Sequence, residues 1–214
     1  MNVTIREARA DDCPFLAWVM LTAARSHRRL CFWDLAFPGP EPQRLDYITA
    51  VADLDPSSFT HYSGFLVAEA NGQPVAALCG YDPALKGLDG FVASMTTLLE
   101  QRDWSPDHQR LLSQRIAPAV TCGPEPTEGA WTIEWVATKP EARGKGVARS
   151  LLLEILERGR SLGFKKSQIA YLIGNTPAST AYERVGFEYL DEQRDTSFEA
   201  AFGSPGIARM LRDL

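Results

Sequence analysis

The apolar residues of the first 81 positions predict three strands. Alternating or continuous apolar runs place these strands over residues 3–8, 64–70 and 74–81. The dipeptide Asn71-Gly72 separates the last two runs, and this dipeptide is the typical turn of a two-residue hairpin. The second and third strands are therefore expected to pair antiparallel.

Helical spacing appears between the first strand and this hairpin. A first helix is predicted to begin after Asp11 or Asp12 as its cap, with Pro14 in its first turn. Its apolar face carries Phe15, Leu16, Val19, Met20 and Ala23. Residues 32–40 break the regular pattern, and a second helix is predicted over residues 41–54.

The stretch that follows the hairpin is longer and less regular. Residues 88–102 have helical spacing, and Ser105-Pro106 forms a plausible cap and first turn for a helix over residues 107–116. Pro118 and the segment 123–129, which is rich in proline and glycine, predict a loop.

Strands and helices alternate in the last third of the chain. Strands are predicted over residues 131–138, 166–173, 187–190 and 207–211. The first of these leads into an amphipathic helix with Ala148, Leu151, Leu152, Ile155 and Leu156 on one face. Another helix is predicted from Asn175 to Gly186. This order predicts an α/β fold around a mixed sheet with helices on both faces.

Composition narrows the class of protein. The 214 residues favour a single domain over residues 1–214. The net charge of −5 disfavours a nucleic-acid binder, and the one basic cluster, Arg25 to Arg29, is expected to be the solvated end of a helix. No apolar run has the length of a membrane span, and no signal peptide opens the chain, so a cytoplasmic protein is expected.

Candidate metal ligands do not cluster in the sequence. Four cysteines at positions 13, 31, 79 and 122 are scattered, and they are expected to be buried thiols in a reducing compartment. His27, His61 and His108 are isolated. No metal site is predicted.

A glycine-rich turn joins the strand over 131–138 to the helix after it. The turn consists of Arg143, Gly144, Lys145, Gly146, Val147 and Ala148. Its glycines let a ligand approach the backbone, and the unpaired N–H groups of a helix N-terminus attract anions. The turn is therefore a candidate phosphate site, although a simple connection between strand and helix fits the same residues. It matches neither the P-loop nor the dinucleotide-binding fingerprint.

A second motif begins one helix and one strand later. It contains Asn175, Ala178, Tyr182, Gly186 and Phe187 at the spacing Asn-x-x-Ala-x-x-x-Tyr-x-x-x-Gly-Phe. Together with Arg143, Gly146 and Ala148, this motif resembles the GCN5-related N-acetyltransferase (GNAT) superfamily. The resemblance is specific over residues 131–190 and weaker over residues 3–81.

The resemblance implies a fold and a donor substrate. The implied fold is a mixed, mostly antiparallel sheet of about seven strands with helices on both faces, and residues 83–129 would be a helical insertion before the central strand. The implied donor is acetyl-CoA. The backbone of Val136, Ala137 and Thr138 would pair with its pantetheine arm, and the residues from Arg143 to Ala148 would hold its pyrophosphate. Asn175 would contact the pantetheine or fix its loop, and it also suits a helix cap.

The resemblance also implies catalytic residues. Tyr182 would be the general acid that protonates the departing CoA thiolate, although a buried aromatic side chain is the alternative. Glu134 would be the base that deprotonates the amine, although it lies two residues from the position most often used in relatives, and a structural carboxylate is the alternative. Strand alternation predicts that Glu134, Val136 and Thr138 share one face with Thr132.

The predicted activity is direct transfer of an acetyl group from acetyl-CoA to a primary amine. The alternative is a non-catalytic acyl-CoA-binding module. The acceptor is expected to be a small molecule or a peptide amine. In the superfamily the region of residues 32–37 commonly lines the acceptor pocket, so Trp33 and Asp34 are candidates for contact, with Trp33 equally suited to the core. Homodimers are common among similar proteins, and no nucleic acid, membrane or metal partner is expected.

Overall fold

The computed structural model describes residues 2–214, which build one seven-stranded sheet. Its strands lie in the order β1-β2-β3-β4-β5-β7-β6. They are β1 (Val3–Glu7), β2 (Phe65–Ala70), β3 (Gln73–Tyr81), β4 (Ala130–Thr138), β5 (Lys166–Leu172), β6 (Glu188–Arg194) and β7 (Gly206–Asp213). Neighbours β4 and β5 are parallel, and the other neighbouring pairs are antiparallel.

Eight helices accompany the sheet in the described part of the chain. They are α1 (Cys13–Arg25), α2 (Phe32–Ala36), α3 (Glu41–Val51), α4 (Leu88–Gln101), α5 (Pro106–Cys122), α6 (Val147–Ser161), α7 (Thr176–Glu183) and α8 (Thr196–Phe202). Helices α4 and α5 form the helical insertion before β4 that the sequence predicts.

The sheet separates two apolar clusters. On one face, α1, α2 and α3 bury side chains such as Leu16, Trp33 and Ile48. On the opposite face, α6 buries Leu151 and Ile155. The expected mixed, mostly antiparallel sheet with helices on both faces is confirmed.

The hairpin between β2 and β3 is also confirmed. Asn71 and Gly72 have φ values of 52° and 72°, which a primed hairpin turn requires. Asp12 lies at the start of α1, but its side chain does not cap this helix. Its carboxylate instead accepts hydrogen bonds from Arg6 Nη1 at 2.7 Å and Arg9 N at 2.8 Å.

Two local predictions are wrong and one helix was missed, because contacts and caps outweigh the sequence pattern. The segment expected to be irregular forms α2, and Asp34 closes its first turn by accepting from Cys31 N at 2.9 Å. Helix α5 continues through Pro118 to Cys122, where it packs on Phe198 of α8. Helix α8 itself was not predicted, and Asp195 caps it by accepting from Phe198 N at 2.8 Å.

Candidate functional site

A β-bulge interrupts β4 at the middle of the sheet. Cys79 of β3 lies opposite Glu134 and Ala77 lies opposite Ala137, so two steps along β3 match three along β4. Trp135 has a φ of 57°, which is strained for a bulky residue with a Cβ. The extra residue bends the strand and redirects the side chains that follow it.

Because of the bulge, the predicted side-chain alternation along β4 is wrong beyond Glu134. Glu134 contacts Tyr81, and Trp135 packs with the α1 cluster, so two consecutive side chains lie toward the same face. Val136 packs with the α6 cluster on the opposite face. Glu134 and Val136 therefore do not share one face, because a bulge shifts the two-residue alternation by one position.

Strands β4 and β5 separate beyond the bulge. Their pairing covers four positions, from Ala130 opposite Lys166 to Ile133 opposite Ile169. Residues 134–138 continue β4 and pair again with β3, but their other edge has no strand partner in the described sheet. This gap presents the backbone of Val136, Ala137 and Thr138 as an edge on which an extended ligand could add.

The N-terminus of α6 lies directly after this unpaired edge. Gly144 and Gly146 have φ values of 71° and 79°, and a Cβ at either position would meet nothing within 4 Å. No side chain caps the helix, and the turn is exposed at Gly144, Lys145 and Gly146. Arg143 Nε donates to the Thr138 carbonyl oxygen at 3.0 Å, which ties the turn to the end of β4. The turn thus offers free backbone donors, two nearby cations and the positive end of the helix dipole.

Asn175 caps α7 at the end of β5. Its Oδ1 accepts from Ala178 N at 3.2 Å, and its Nδ2 donates to Ser26 Oγ at 2.5 Å. The cap role is therefore present, and the same side chain also links β5 to the end of α1. Ser26 has a φ of 56° and a ψ of −120°. Residues other than glycine rarely adopt this backbone conformation.

The basic cluster at the end of α1 is not simply solvated. Arg25 pairs with Asp34 at 2.7 Å and with Glu41 at 2.6 Å. His27 and Arg28 lie beside Gly174, where a Cβ would come within 3.4 and 3.7 Å of their ring and guanidinium nitrogens. His27 and Arg29 are exposed, as expected of a solvated helix end, and tertiary contacts also bring this segment to the carboxyl end of β5.

Glu134 is a carboxyl group with unusual acidity. Its Oε1 accepts a hydrogen bond from the Tyr81 hydroxyl at 3.1 Å. Burial raises the pKa of Glu134 to about 7, and the bond from Tyr81 offsets part of that rise. A carboxylate that titrates near neutral pH suits proton transfer.

Tyr182 lies across the sheet from Glu134. It is 7% exposed and packs on the α6 face, with its ring centroid 6.4 Å from those of Tyr171 and Phe187. Burial raises the pKa of Tyr182 well above its ordinary value, so the hydroxyl keeps its proton at neutral pH. Glu134 and Tyr182 therefore lie on opposite faces of the sheet.

Several residues near Glu134 were not predicted from the sequence. Tyr81, Phe59 and Phe91 come from separate segments and meet Trp135 or one another at 5.2–6.1 Å between ring centroids. An aromatic residue in a strand or helix carries no local signal of such a meeting. The candidate Asp34 is not available to an acceptor amine, because its carboxylate forms salt bridges with Arg25 and Arg44.

Residues 2–214 have neither a cluster of metal ligands nor a membrane-spanning helix. Within that range no group of three or more His, Cys, Asp or Glu side chains could hold a metal ion. None of the helices in the same range is long and apolar enough to cross a membrane.

Comparison with known proteins gives a family match over most of the chain. The family described as "Acetyltransferase (GNAT) family" matches residues 28–187. The uncharacterized N-acetyltransferase YjgM of Escherichia coli K12 is 38% identical over 79 residues, which are 35% of this chain and 42% of YjgM. The match thus spans less than half of the length of that relative.

Solved structures with similar folds include an N-acetyltransferase and an N-acetylglutamate synthase. An N-acetyltransferase from Staphylococcus aureus Mu50 superposes with a TM-score of 0.65 at 19% identity, covering 97% of this chain and 99% of the other. N-acetylglutamate synthase from Neisseria gonorrhoeae, in complex with coenzyme A and N-acetyl-glutamate, gives a TM-score of 0.52 at 14% identity. That match covers 100% of this chain and 35% of the other. At these identities the likeness concerns the fold.

Proposed function

Because the chain belongs to the GNAT family of acetyltransferases, we propose that it transfers an acetyl group from acetyl-CoA to a primary amine. Residues 1–214 would act as one acyltransferase domain, in keeping with their single continuous sheet. The observation that carries the proposal is the coincidence of three features: the β4–β5 gap, the uncapped α6 turn, and Glu134 and Tyr182 on opposite faces of the sheet.

The donor would bind along the gap. The unpaired backbone edge of Val136, Ala137 and Thr138 suits the amide groups of pantetheine, which would add like another strand. The pyrophosphate would lie on the α6 turn, which comprises Arg143, Gly144, Lys145, Gly146, Val147 and Ala148. Asn175 lies at the β5 side of the same gap, where its free hydrogen-bonding capacity can reach the pantetheine arm.

The acceptor amine would lose its proton to Glu134. A primary alkylamine is mainly protonated at neutral pH and cannot attack in that form. A carboxylate with a pKa near 7 can take this proton, either directly or through a water molecule. The neutral nitrogen then attacks the thioester carbonyl carbon, so that a C–N bond forms and the C–S bond breaks.

The departing thiolate would take a proton from Tyr182. The raised pKa of Tyr182 keeps the hydroxyl protonated until a strong base appears beside it. A thiolate leaving into the same apolar surroundings is itself a stronger base than in water, because burial also disfavours its charge. The second proton, shed by the nitrogen after the attack, restores the tyrosine through solvent. Glu134 gives the first proton to solvent, so that the reaction releases one proton overall.

The experiment follows release of the CoA thiol with acetyl-CoA and a panel of primary amines. We expect Tyr182→Phe to lower kcat by about 100-fold while the Kd for acetyl-CoA changes little, since the hydroxyl would act in the transition state. Tyr189→Phe, at a tyrosine that is 58% exposed on β6, is the matched control. Equal kcat values for Tyr182→Phe and the wild type would exclude Tyr182 as the acid.

The pH profile tests Glu134 separately. The wild type should gain activity as the pH rises through about 7, and Glu134→Gln should lose this limb together with most of its turnover. A non-catalytic acyl-CoA-binding module remains the competing function. Stabilisation by acetyl-CoA without thiol release for any amine would favour that module.

A further inference from the structure

Aromatic rings from four separate segments converge on the part of β4 that carries Glu134. The Trp135 ring centroid lies 6.2 Å from those of Phe32 and Trp33 and 6.1 Å from that of Phe59. Phe91 of α4 lies 5.2 Å from Phe59 and 5.9 Å from Trp33. Phe32, Phe59, Phe91 and Trp135 are only half-buried, so this aromatic cluster keeps ring surface open to a ligand.

Hydrogen-bonding atoms in the same place have no partner. The indole Nε1 atoms of Trp33 and Trp135 and the hydroxyl of Thr132 are buried and unpaired among the described residues. Trp33 is 0% exposed and Thr132 is 3% exposed, so bulk water does not reach them readily. Buried donors normally find a partner. These unpaired donors suit a ligand with an oxygen acceptor. The acyl carbonyl of the proposed donor, acetyl-CoA, is such a group.

The carboxyl group of Glu134 lies beside the aromatic cluster and forms no salt bridge with a described residue. Glu134 adjoins Trp135, and its hydrogen bond comes from the neutral hydroxyl of Tyr81. Asp34 adjoins Trp33, but it lies 2.7 Å from Arg25 and 3.2 Å from Arg44, and Arg25 also pairs with Glu41, so this group of charges is neutral overall. The cluster can therefore balance one ammonium group, and it offers apolar ring surface around that group.

We infer that the acceptor is a primary amine joined by a short chain to an aromatic ring, with the amine at Glu134 and the ring against Phe91, Phe59 and Trp135. This inference rests on the proposed function. It also assigns a role to the helical insertion, since α4 carries Phe91 into the aromatic cluster. A polyamine would place additional ammonium groups against these rings, whereas an aromatic ring in the acceptor would add apolar contact with them.

The test compares three amines at saturating acetyl-CoA, with thiol release as the readout. 2-Phenylethylamine carries one charge and a ring, n-butylamine carries one charge without a ring, and spermidine carries several charges. We expect kcat/KM for 2-phenylethylamine to exceed both others by at least about 10-fold, the scale expected from burying an aromatic side group. Equal values for the three amines, or a preference for spermidine, would overturn the inference.

Variants of α4 test where the aromatic ring of the acceptor amine binds. Phe91→Ala should lower kcat/KM for 2-phenylethylamine by about 10-fold but leave that for n-butylamine within about 2-fold. Val92→Ala, at a neighbour that is 52% exposed on the same helix, is the control. Phe91→Leu, which keeps most of the apolar bulk, covers the case in which the alanine variant does not fold. A loss of equal size for both amines would contradict the assignment.

Failure of this inference is distinguishable from failure of the proposed function. Thiol release that depends on an amine but shows no preference for the ring rejects the aromatic acceptor and retains acetyl transfer. No release with any amine, while acetyl-CoA still stabilises the protein, rejects the proposed function and the inference together.

Discussion

The carboxyl group of Glu134 has an acidity that depends on residues distant in the sequence. Tyr81, which donates a hydrogen bond to it, is 53 positions away, and the rings that surround it come from other segments again. Burial disfavours the ionised carboxylate in the folded protein, whereas the unfolded chain exposes it to water. The residue that we propose as the base is therefore also a source of instability at high pH.

The pH dependence of stability tests this effect independently of activity. The pKa of Glu134 rises from an ordinary 4.5 to about 7 on folding, so the free energy of unfolding should fall as the pH rises between those values. Glu134→Gln avoids this fall and should be more stable than the wild type at pH 8 by on the order of 1–3 kcal/mol, with little difference near pH 4.

Urea denaturation at several pH values measures this difference. Glu154→Gln, at an exposed glutamate of α6, is the control. A stability difference that does not change with pH would show that the folded protein leaves the acidity of Glu134 unaltered.

At the scale of single elements, β4 and α6 create the site through backbone geometry. The bulge at Trp135 separates β4 from β5, and the positive φ of that residue is part of its geometry. The turn that follows uses glycines at positive φ to begin α6 without a side-chain cap. Both features leave backbone groups free for a ligand.

Strain at the bulge can be measured with two variants of Trp135. Glycine in place of alanine normally destabilises a strand, but at a φ of 57° the preference reverses. We expect Trp135→Gly to be more stable than Trp135→Ala by about 1 kcal/mol, because both variants lose the ring and only alanine retains the strain. Chemical denaturation of the pair gives the value, and a more stable alanine variant would exclude the strained geometry.

A negative charge introduced at the α6 turn tests the proposed anion site. Gly144→Asp places a carboxylate where we propose the pyrophosphate, so the Kd for acetyl-CoA should rise at least about 10-fold. Gly163→Asp is the matched control, because Gly163 follows the other end of α6, has a φ of 95° and has the same open surroundings. Isothermal titration should separate the two variants, and a similar weakening in both would argue against a phosphate site at Gly144.

At the scale of the whole molecule, one hydrogen bond joins segments 149 positions apart. Ser26 Oγ receives it from Asn175 Nδ2, and it holds the end of α1 against the turn after β5. Ser26 keeps an unfavourable backbone conformation at this contact. The contact positions Asn175 at the side of the gap where we propose pantetheine binding.

Two substitutions at Ser26 separate contact from strain. Ser26→Ala and Ser26→Gly both remove the hydroxyl and should raise the KM for acetyl-CoA several-fold, with a smaller effect on kcat. Glycine adopts a positive φ without strain and alanine does not. Ser26→Gly should therefore be the more stable of the two variants by about 1 kcal/mol. Ser113→Ala, which removes an exposed hydroxyl bound within α5, is the control. An unchanged KM in both Ser26 variants would show that this contact does not position the donor.

Local signals predicted those parts of the fold and the site that depend on neighbouring residues. The hairpin at Asn71-Gly72, the start of α6 after Gly146 and the cap at Asn175 follow from backbone preferences over a few residues. The same local spacing carries the family resemblance. Short elements such as α2 and α8 were missed because packing and single caps, not periodicity, stabilise them.

The sequence by itself thus determined the family, the order of most elements and the position of the glycine-rich turn at which we propose anion binding, because each is encoded by residues close together in the chain. Only the tertiary structure decided which face Val136 occupies, what raises the pKa of Glu134 and which rings surround it. Those properties depend on an extra residue in one strand and on contacts between segments far apart in sequence, and such contacts have no local pattern to reveal them.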